Sequence, residues 1–172
     1  MIRYALVAFG LVLLAWQFGG ATLRAETIRQ EGQTILLQTA PVDPRAFLLG
    51  DYMTLRYAAE PPRDRLDGAP TNGLAVLRLG SDGVAEFVRL HDGAPLSGDE
   101  ILMRYTTTGQ GWRRRATYGG RRYYFQSGTG ERFAGARYGV FKVMPDGRAL
   151  LSGLADADRR VIAVAGEAPA TE

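Results

Sequence analysis

Leu74-Ala-Val-Leu-Arg-Leu-Gly-Ser-Asp-Gly-Val-Ala-Glu-Phe-Val-Arg-Leu90 decides the fold class, because two apolar-rich runs of strand length flank Asp82-Gly83. An Asp-Gly pair between such runs closes a hairpin, since glycine reaches the positive φ that the turn demands. The layout returns at Tyr138-Gly-Val-Phe-Lys-Val-Met-Pro-Asp-Gly-Arg-Ala-Leu-Leu-Ser-Gly-Leu154, which aligns on the first without gaps. Val76/Val140, Asp82/Asp146, Gly83/Gly147, Ala85/Ala149 and Leu90/Leu154 match on both strands and at the turn. Two similar Asp-Gly hairpins predict a mainly β domain, either an antiparallel sheet or a barrel-like closure.

Other β signals surround this pair. Gln33–Thr39 reads as the first strand, stopped by Pro41-Val-Asp-Pro44. Asp43 as a cap and Pro44 at a first helical position predict one helical turn from Arg45 to Leu49, ended by Gly50. In Asp51-Tyr-Met-Thr-Leu-Arg-Tyr57, alternation sends Met53, Leu55 and Tyr57 to one face and Tyr52, Thr54 and Arg56 to the other. Residues 59–72, with Pro61, Pro62, Gly68 and Pro70, read as a surface loop. Between the hairpins, 101–107, 112–118 and 121–126 read as strands, broken at Gly109, Gly111 and Gly119-Gly120, and Glu131–Arg137 as a short helix. The β domain is thus expected over 33–165, with a polar, flexible tail at 166–172.

The N-terminus has a different character. From Tyr4 to Leu23 no side chain is charged, and a helix of that length reaches about 30 Å, the thickness of a bilayer's hydrocarbon layer. Residues 1–32 therefore read as one transmembrane helix with a helical extension, Leu23 to Glu31, capped at Gly32. A cleaved signal peptide is the alternative, since Arg3 precedes the apolar run and Gly19-Gly20-Ala21 supplies small residues for cleavage. Continued helical spacing beyond the apolar run favours an uncleaved anchor. Arg3 and the α-amino group hold the N-terminus inside, which puts the β domain on the periplasmic side of the inner membrane.

Composition narrows the chemistry. A chain of 172 residues, 46% hydrophobic and 23% charged, suits one globular domain. It has no cysteine, which excludes disulfides, thiolate metal sites and cysteine nucleophiles. His91 is the single histidine and Lys142 the single lysine. Of 21 basic residues against 18 acidic, Arg3 and Arg24 flank the apolar run, which leaves 19 against 18 elsewhere. Asp99-Glu100 and Asp156/Asp158 lack calcium-loop spacing, and no Walker loop, dinucleotide fingerprint or Gly-x-Ser-x-Gly occurs, so no metal, cofactor or catalytic residue is assigned.

One strip stands out. Arg113, Arg114, Arg115, Arg121 and Arg122 lie with Arg104 among Tyr105, Trp112, Tyr118, Tyr123, Tyr124 and Phe125, with no acidic partner in sequence. That mixture suits stacking and phosphate neutralisation, but the simpler reading is an antiparallel pair with arginines on its wet face and aromatics inward. An exported domain does not meet nucleic acid, so an anionic head group or an acidic protein surface is the expected contact.

Gly50-Asp51-Tyr52-Met-Thr-Leu55-Arg-Tyr57 resembles the motif that defines the bacterial GDYXXLXY family of small membrane-anchored proteins. The similarity extends over residues 33–160, through Pro41-Val-Asp-Pro-Arg45, Ala136-Arg-Tyr-Gly139 and Asp146–Leu154. Gly50, Asp51, Tyr52, Leu55 and Tyr57 carry it, with a structural or contact role. The resemblance implies a membrane-complex accessory that accompanies a multi-pass membrane protein. An exported hydrolase using carboxylates, with Asp51 as its candidate, is the alternative.

Overall fold

The computed structural model describes residues 25–40, 52–119, 121–124, 133 and 135–163, together with Tyr4, Phe9 and Leu23. Nine strands run β1 Gln33–Gln38, β2 Tyr52–Thr54, β3 Asn72–Leu79, β4 Ala85–Leu90, β5 Glu100–Thr108, β6 Arg115–Tyr118, β7 Arg122–Tyr124, β8 Tyr138–Val143 and β9 Ala149–Ala155 among the described residues. They form antiparallel sheets in the orders β1-β8-β9, β2-β7 and β4-β3-β5-β6, one of them curled as a half-barrel. The mainly β reading is correct.

The internal repeat is structural as well as sequential. In both hairpins the register slips at the same aligned place, between Val76 and Leu77 in one and between Val140 and Phe141 in the other. Gly80 N–H donates to Val84 O at 2.8 Å, and Met144 N–H to Arg148 O at 2.8 Å. Asp82 Oδ1 accepts the Val84 N–H at 3.1 Å, and Asp146 Oδ1 the Arg148 N–H at 3.0 Å. Each loop is thus three residues long, with positive φ only at its glycine: 78° at Gly83 and 80° at Gly147. This is the longer hairpin turn with a glycine bulge, in place of a two-residue turn.

The equivalence extends to the sheets, since β4-β3-β5 corresponds to β9-β8-β1. The two halves then exchange their turns. Leu36 N–H, on the strand paired with β8, donates to Gly83 O at 2.9 Å, while Arg104 N–H, on the strand paired with β3, donates to Gly147 O at 2.8 Å. Gly147 packs so tightly there that a Cβ would stand 2.7 Å from Leu74 Cδ2.

Residues 52–58 pass from β7 to the end of β1. Tyr52, Met53 and Thr54 pair with Tyr124, Tyr123 and Arg122, and Leu55 N–H donates to Arg121 O at 2.6 Å. From the next residue the chain changes neighbour: Ala40 N–H donates to Arg56 O and Ala58 N–H to Gln38 O, both at 2.8 Å. Alternation is as expected, with Met53, Leu55 and Tyr57 at most 2% exposed and Tyr52 and Arg56 exposed. Tyr57 meets Phe141 edge-on at 5.2 Å between ring centres, in a core shared with Ile35, Leu77 and Leu154.

Two expectations change. Residues 59–72 are more than a surface loop, because Ala59, Pro61 and Leu66 are buried and a 3-10 turn spans Arg63–Arg65. The strand expected from 112 begins only at Arg115, since Gly111–Arg113 form another 3-10 turn. Gly32 does end the helical turn, its N–H bonded to Ile28 O at 3.0 Å, yet its φ is not positive; a Cβ there would meet Ile28 O and stand 3.0 Å from Lys142 Cβ.

The expected helical turn 45–49, the tail 166–172, and Gly50 and Asp51 lie outside the described residues. So do most of the apolar run from Tyr4 to Leu23 and residues 131, 132 and 134 of the helix expected at 131–137; of its other residues Phe133 is helical, but Gly135 is in a turn and Ala136 and Arg137 are not helical. Among the described residues no helix is long and apolar enough to cross a membrane.

Candidate functional site

Of the motif residues, Leu55 and Tyr57 fill the core, whereas Tyr52 faces out, 39% exposed. Directly across the β2–β7 ladder lies Tyr124, 66% exposed, with ring centres 5.7 Å apart. Side chains opposite one another on a ladder share a face, so the motif contributes half of an outward aromatic pair. Thr54 and the Arg122 backbone pair two rungs further along the ladder.

The described side chains of the arginine strip do not all point the same way. The Arg113 guanidinium stacks 4.7 Å from the centre of the Trp112 ring, which is itself 76% exposed. Arg114 turns inward: its Nη2 donates to Ala69 O and, at 3.4 Å, to Thr107 Oγ1, tying the 59–72 segment to β5. Arg115 and Arg121 are exposed and, with Arg56, surround Glu60.

Glu60 was not singled out in the sequence. It lies three residues after Tyr57, before Pro61-Pro62, and the only available signal was an acidic residue a few positions beyond the motif. Its carboxyl is half-buried, and its Oε1 is buried without a hydrogen-bond partner among the described residues. Burial raises its pKa, partly offset by Arg56, the Tyr57 backbone N–H, Arg121 and Arg115. Burial likewise raises the Tyr57 and Tyr118 phenols, with the Glu60 charge adding to both. Tyr118 Oη donates to Ala59 O at 2.7 Å, fixing the backbone beside Glu60.

Two clefts meet at this carboxyl. One, of about 260 Å³, is lined by Arg56, Tyr57, Glu60, Pro61, Arg63 and Arg115. The other, of about 330 Å³, is lined by Gln38, Ala59, Glu60, Val84, Glu86 and Phe87. A neutral carboxyl here could donate a hydrogen bond, and an ionised one could accept a proton, so Glu60 has the attributes that Asp51 was credited with in sequence.

The remaining candidates are engaged locally. His91 is half-buried, its backbone N–H bonded to Leu74 O at 2.8 Å, and its Nδ1 lacks a partner among the described residues. Asp92 accepts the Ala94 N–H at 3.1 Å, and that bond is the main reason its pKa is lowered. Ser152 donates to Val140 O at 3.1 Å, and the Lys142 backbone lies in register between Thr34 and Leu150. Among the described residues no three His, Asp or Glu side chains group as a metal site would require.

No curated protein and no solved structure matches the chain. The family model described as GDYXXLXY protein does, over residues 15–154, starting inside the apolar run and upstream of the similarity read from the sequence. With a buried Leu55 and Tyr57, an outward Tyr52, and a match across most of its length, the chain belongs to the GDYXXLXY family.

Proposed function

We propose that this protein is a membrane-anchored accessory domain, held in the inner membrane by the apolar segment from Tyr4 to Leu23 as a single-pass helix. Its β domain faces the periplasm and contacts a multi-pass membrane partner. The observation that carries this reading is the Tyr52–Tyr124 pair: two large aromatic rings side by side on the surface, one supplied by the family motif. Aromatic side chains left outside a core that has room for Tyr57, Tyr105 and Tyr118 are the usual material of protein–protein contacts. Lipid contact is assigned to the apolar segment, and no nucleic acid is involved.

The test is a mild-detergent pull-down with the full-length protein as bait. A specific integral membrane partner is expected, with capture reduced by Tyr52→Ala combined with Tyr124→Ala in a still-folded protein. No partner, together with substrate turnover abolished by Asp51→Asn or Glu60→Gln, would replace this reading with the exported hydrolase. Reporter fusions after Ala165 check the topology: alkaline phosphatase should be active there and a cytoplasmic reporter silent. Intact mass separates anchor from signal peptide, since loss of the first 21 residues marks cleavage.

A further inference from the structure

Several arginines elsewhere in the domain have carboxylate partners. Arg78 lies 3.3 Å from Asp99, Arg89 3.2 Å from Asp92 and 3.4 Å from Glu100, Arg148 2.7 Å from Asp146, and Arg159 3.0 Å from Asp82. Arg56, Arg63 and Arg115 are brought together instead: they line one cleft, and none forms an ion pair with a carboxylate among the described residues, although Glu60 shares its wall. Glu60 interacts with Arg56 and Arg115 through space without forming an ion pair among the described residues, and one of its own oxygens is buried without a hydrogen-bond partner among them. Cations gathered at a concave site, beside an acid able to take up a proton, are a receptor for negative charge.

We propose that the cleft bounded by Arg56, Arg63 and Arg115, with Glu60 in its wall, is a binding site for a tetrahedral oxyanion of the phosphate class. The number of donors selects this class over a carboxylate. Three guanidinium groups and one protonated carboxyl offer more hydrogen bonds than two carboxylate oxygens accept, whereas a phosphate monoester presents three terminal oxygens to arginine forks. About 260 Å³ admits such a head group but little of what it is attached to, so the rest of the ligand projects outward. Pro61 and Ala116 supply the apolar part of the lining, which strengthens charge-assisted bonds made inside.

Anion binding and Glu60 protonation reinforce one another. A bound dianion disfavours a second negative charge at Glu60, which takes up a proton and becomes a donor. The charged and titratable groups facing it are Arg56, Arg63, Arg115, Arg121, Tyr57 and Tyr118, with Glu86 across the second cleft, and neither tyrosine ionises near neutral pH. Affinity is therefore highest at low pH and falls as Glu60 ionises. This site is independent of the Tyr52–Tyr124 contact, and either can fail without the other.

The experiment is calorimetric titration of the detergent-solubilised full-length protein with inorganic phosphate and with sulfate, whose charge is constant across the range. Saturable binding of both is expected, weakened about a hundredfold by Arg56→Gln with Arg115→Gln. Sulfate affinity should fall from about pH 5 to about pH 8 in the parent and stay level in Glu60→Gln. Vesicles identify the source. Tighter association with phosphatidic acid than with phosphatidylcholine, lost with the two arginines, assigns a lipid head group; binding of the free anions without that gain assigns a soluble phosphate. Failure of both anions to bind the parent protein, or equal binding by an arginine variant with unchanged circular dichroism, would overturn the proposal. So would capture of an acidic peptide in place of both anions.

Discussion

Gly139 lies against the ring of Tyr57 so closely that a Cβ at position 139 would stand 2.7 Å from Tyr57 Cε1 and 3.1 Å from Phe141 Cε2. The edge-on contact of those two rings leaves no space for a methyl group. Gly139→Ala should therefore cost about 1–3 kcal/mol through forced repacking, read from denaturant midpoints at unchanged slope. A variant as stable as the parent would mean that the motif tyrosine is not packed there.

Neighbouring positions in the motif should respond very differently. Leu55 is 1% exposed, so Leu55→Ala should lose about 2–5 kcal/mol. Arg56 faces outward, and Arg56→Ala should stay within about 0.5 kcal/mol. Thermal unfolding of the two variants checks the alternation, and equal losses would contradict it.

The hairpin turns are equivalent in backbone but not in surroundings. Gly83→Ala meets open space and should cost about 1–2 kcal/mol, the strain of a left-handed conformation alone. Gly147→Ala has that strain and also collides with Leu74, adding about 1–3 kcal/mol. Parallel denaturation curves measure the difference; the reverse ranking would remove Gly147 from its seat on β5.

Glu60 gives a pH signature whose sign is opposite to that of a paired carboxylate. Its folded pKa is raised above the usual 4.5, so the folded state holds a proton that the unfolded chain has released. Stability is complete below the unfolded value and declines as pH rises through the folded one. Glu60→Gln should accordingly melt higher than the parent at pH 7.5, with the gap closing towards pH 4.5. An unchanged gap at both pH values would show that burial does not govern this carboxyl.

What could be read in advance was local. The hairpins announce themselves through glycine chemistry and strand composition, and the Tyr52–Tyr57 alternation follows from the two-residue period of a strand. Both facts are complete within a few residues. The pairing of Tyr52 with Tyr124 and the docking of Gly83 and Gly147 onto strands of the opposite half depend on residues far away in the chain, which no window of sequence contains.

The candidate cleft was hidden for a related reason. Pro61, Pro62 and Gly68 mark residues 59–72 as a loop, but composition does not tell a draped loop from one pinned by a buried Leu66. Arg114 looked like its neighbours until the carbonyl of Ala69 gave it an interior role. The strip was legible as a count of charges. Its division among a stacking arginine, an inward one and two beside Glu60 is a product of tertiary structure.

Exchange of turns between the halves bears on the order in which the molecule is made. Gln33 waits for Val143 as its ladder partner, and Leu36 also needs Gly83. The β3–β4 hairpin and the strand beside it can assemble soon after synthesis, but β1 has no complete seat until the second hairpin has emerged. Such long-range closure slows folding and leaves an apolar strand, Ile35 and Leu37 included, uncovered in the interval. The first strand to leave the ribosome is thus the last to be enclosed, and a chain truncated before residue 138 would lack the strand that covers it.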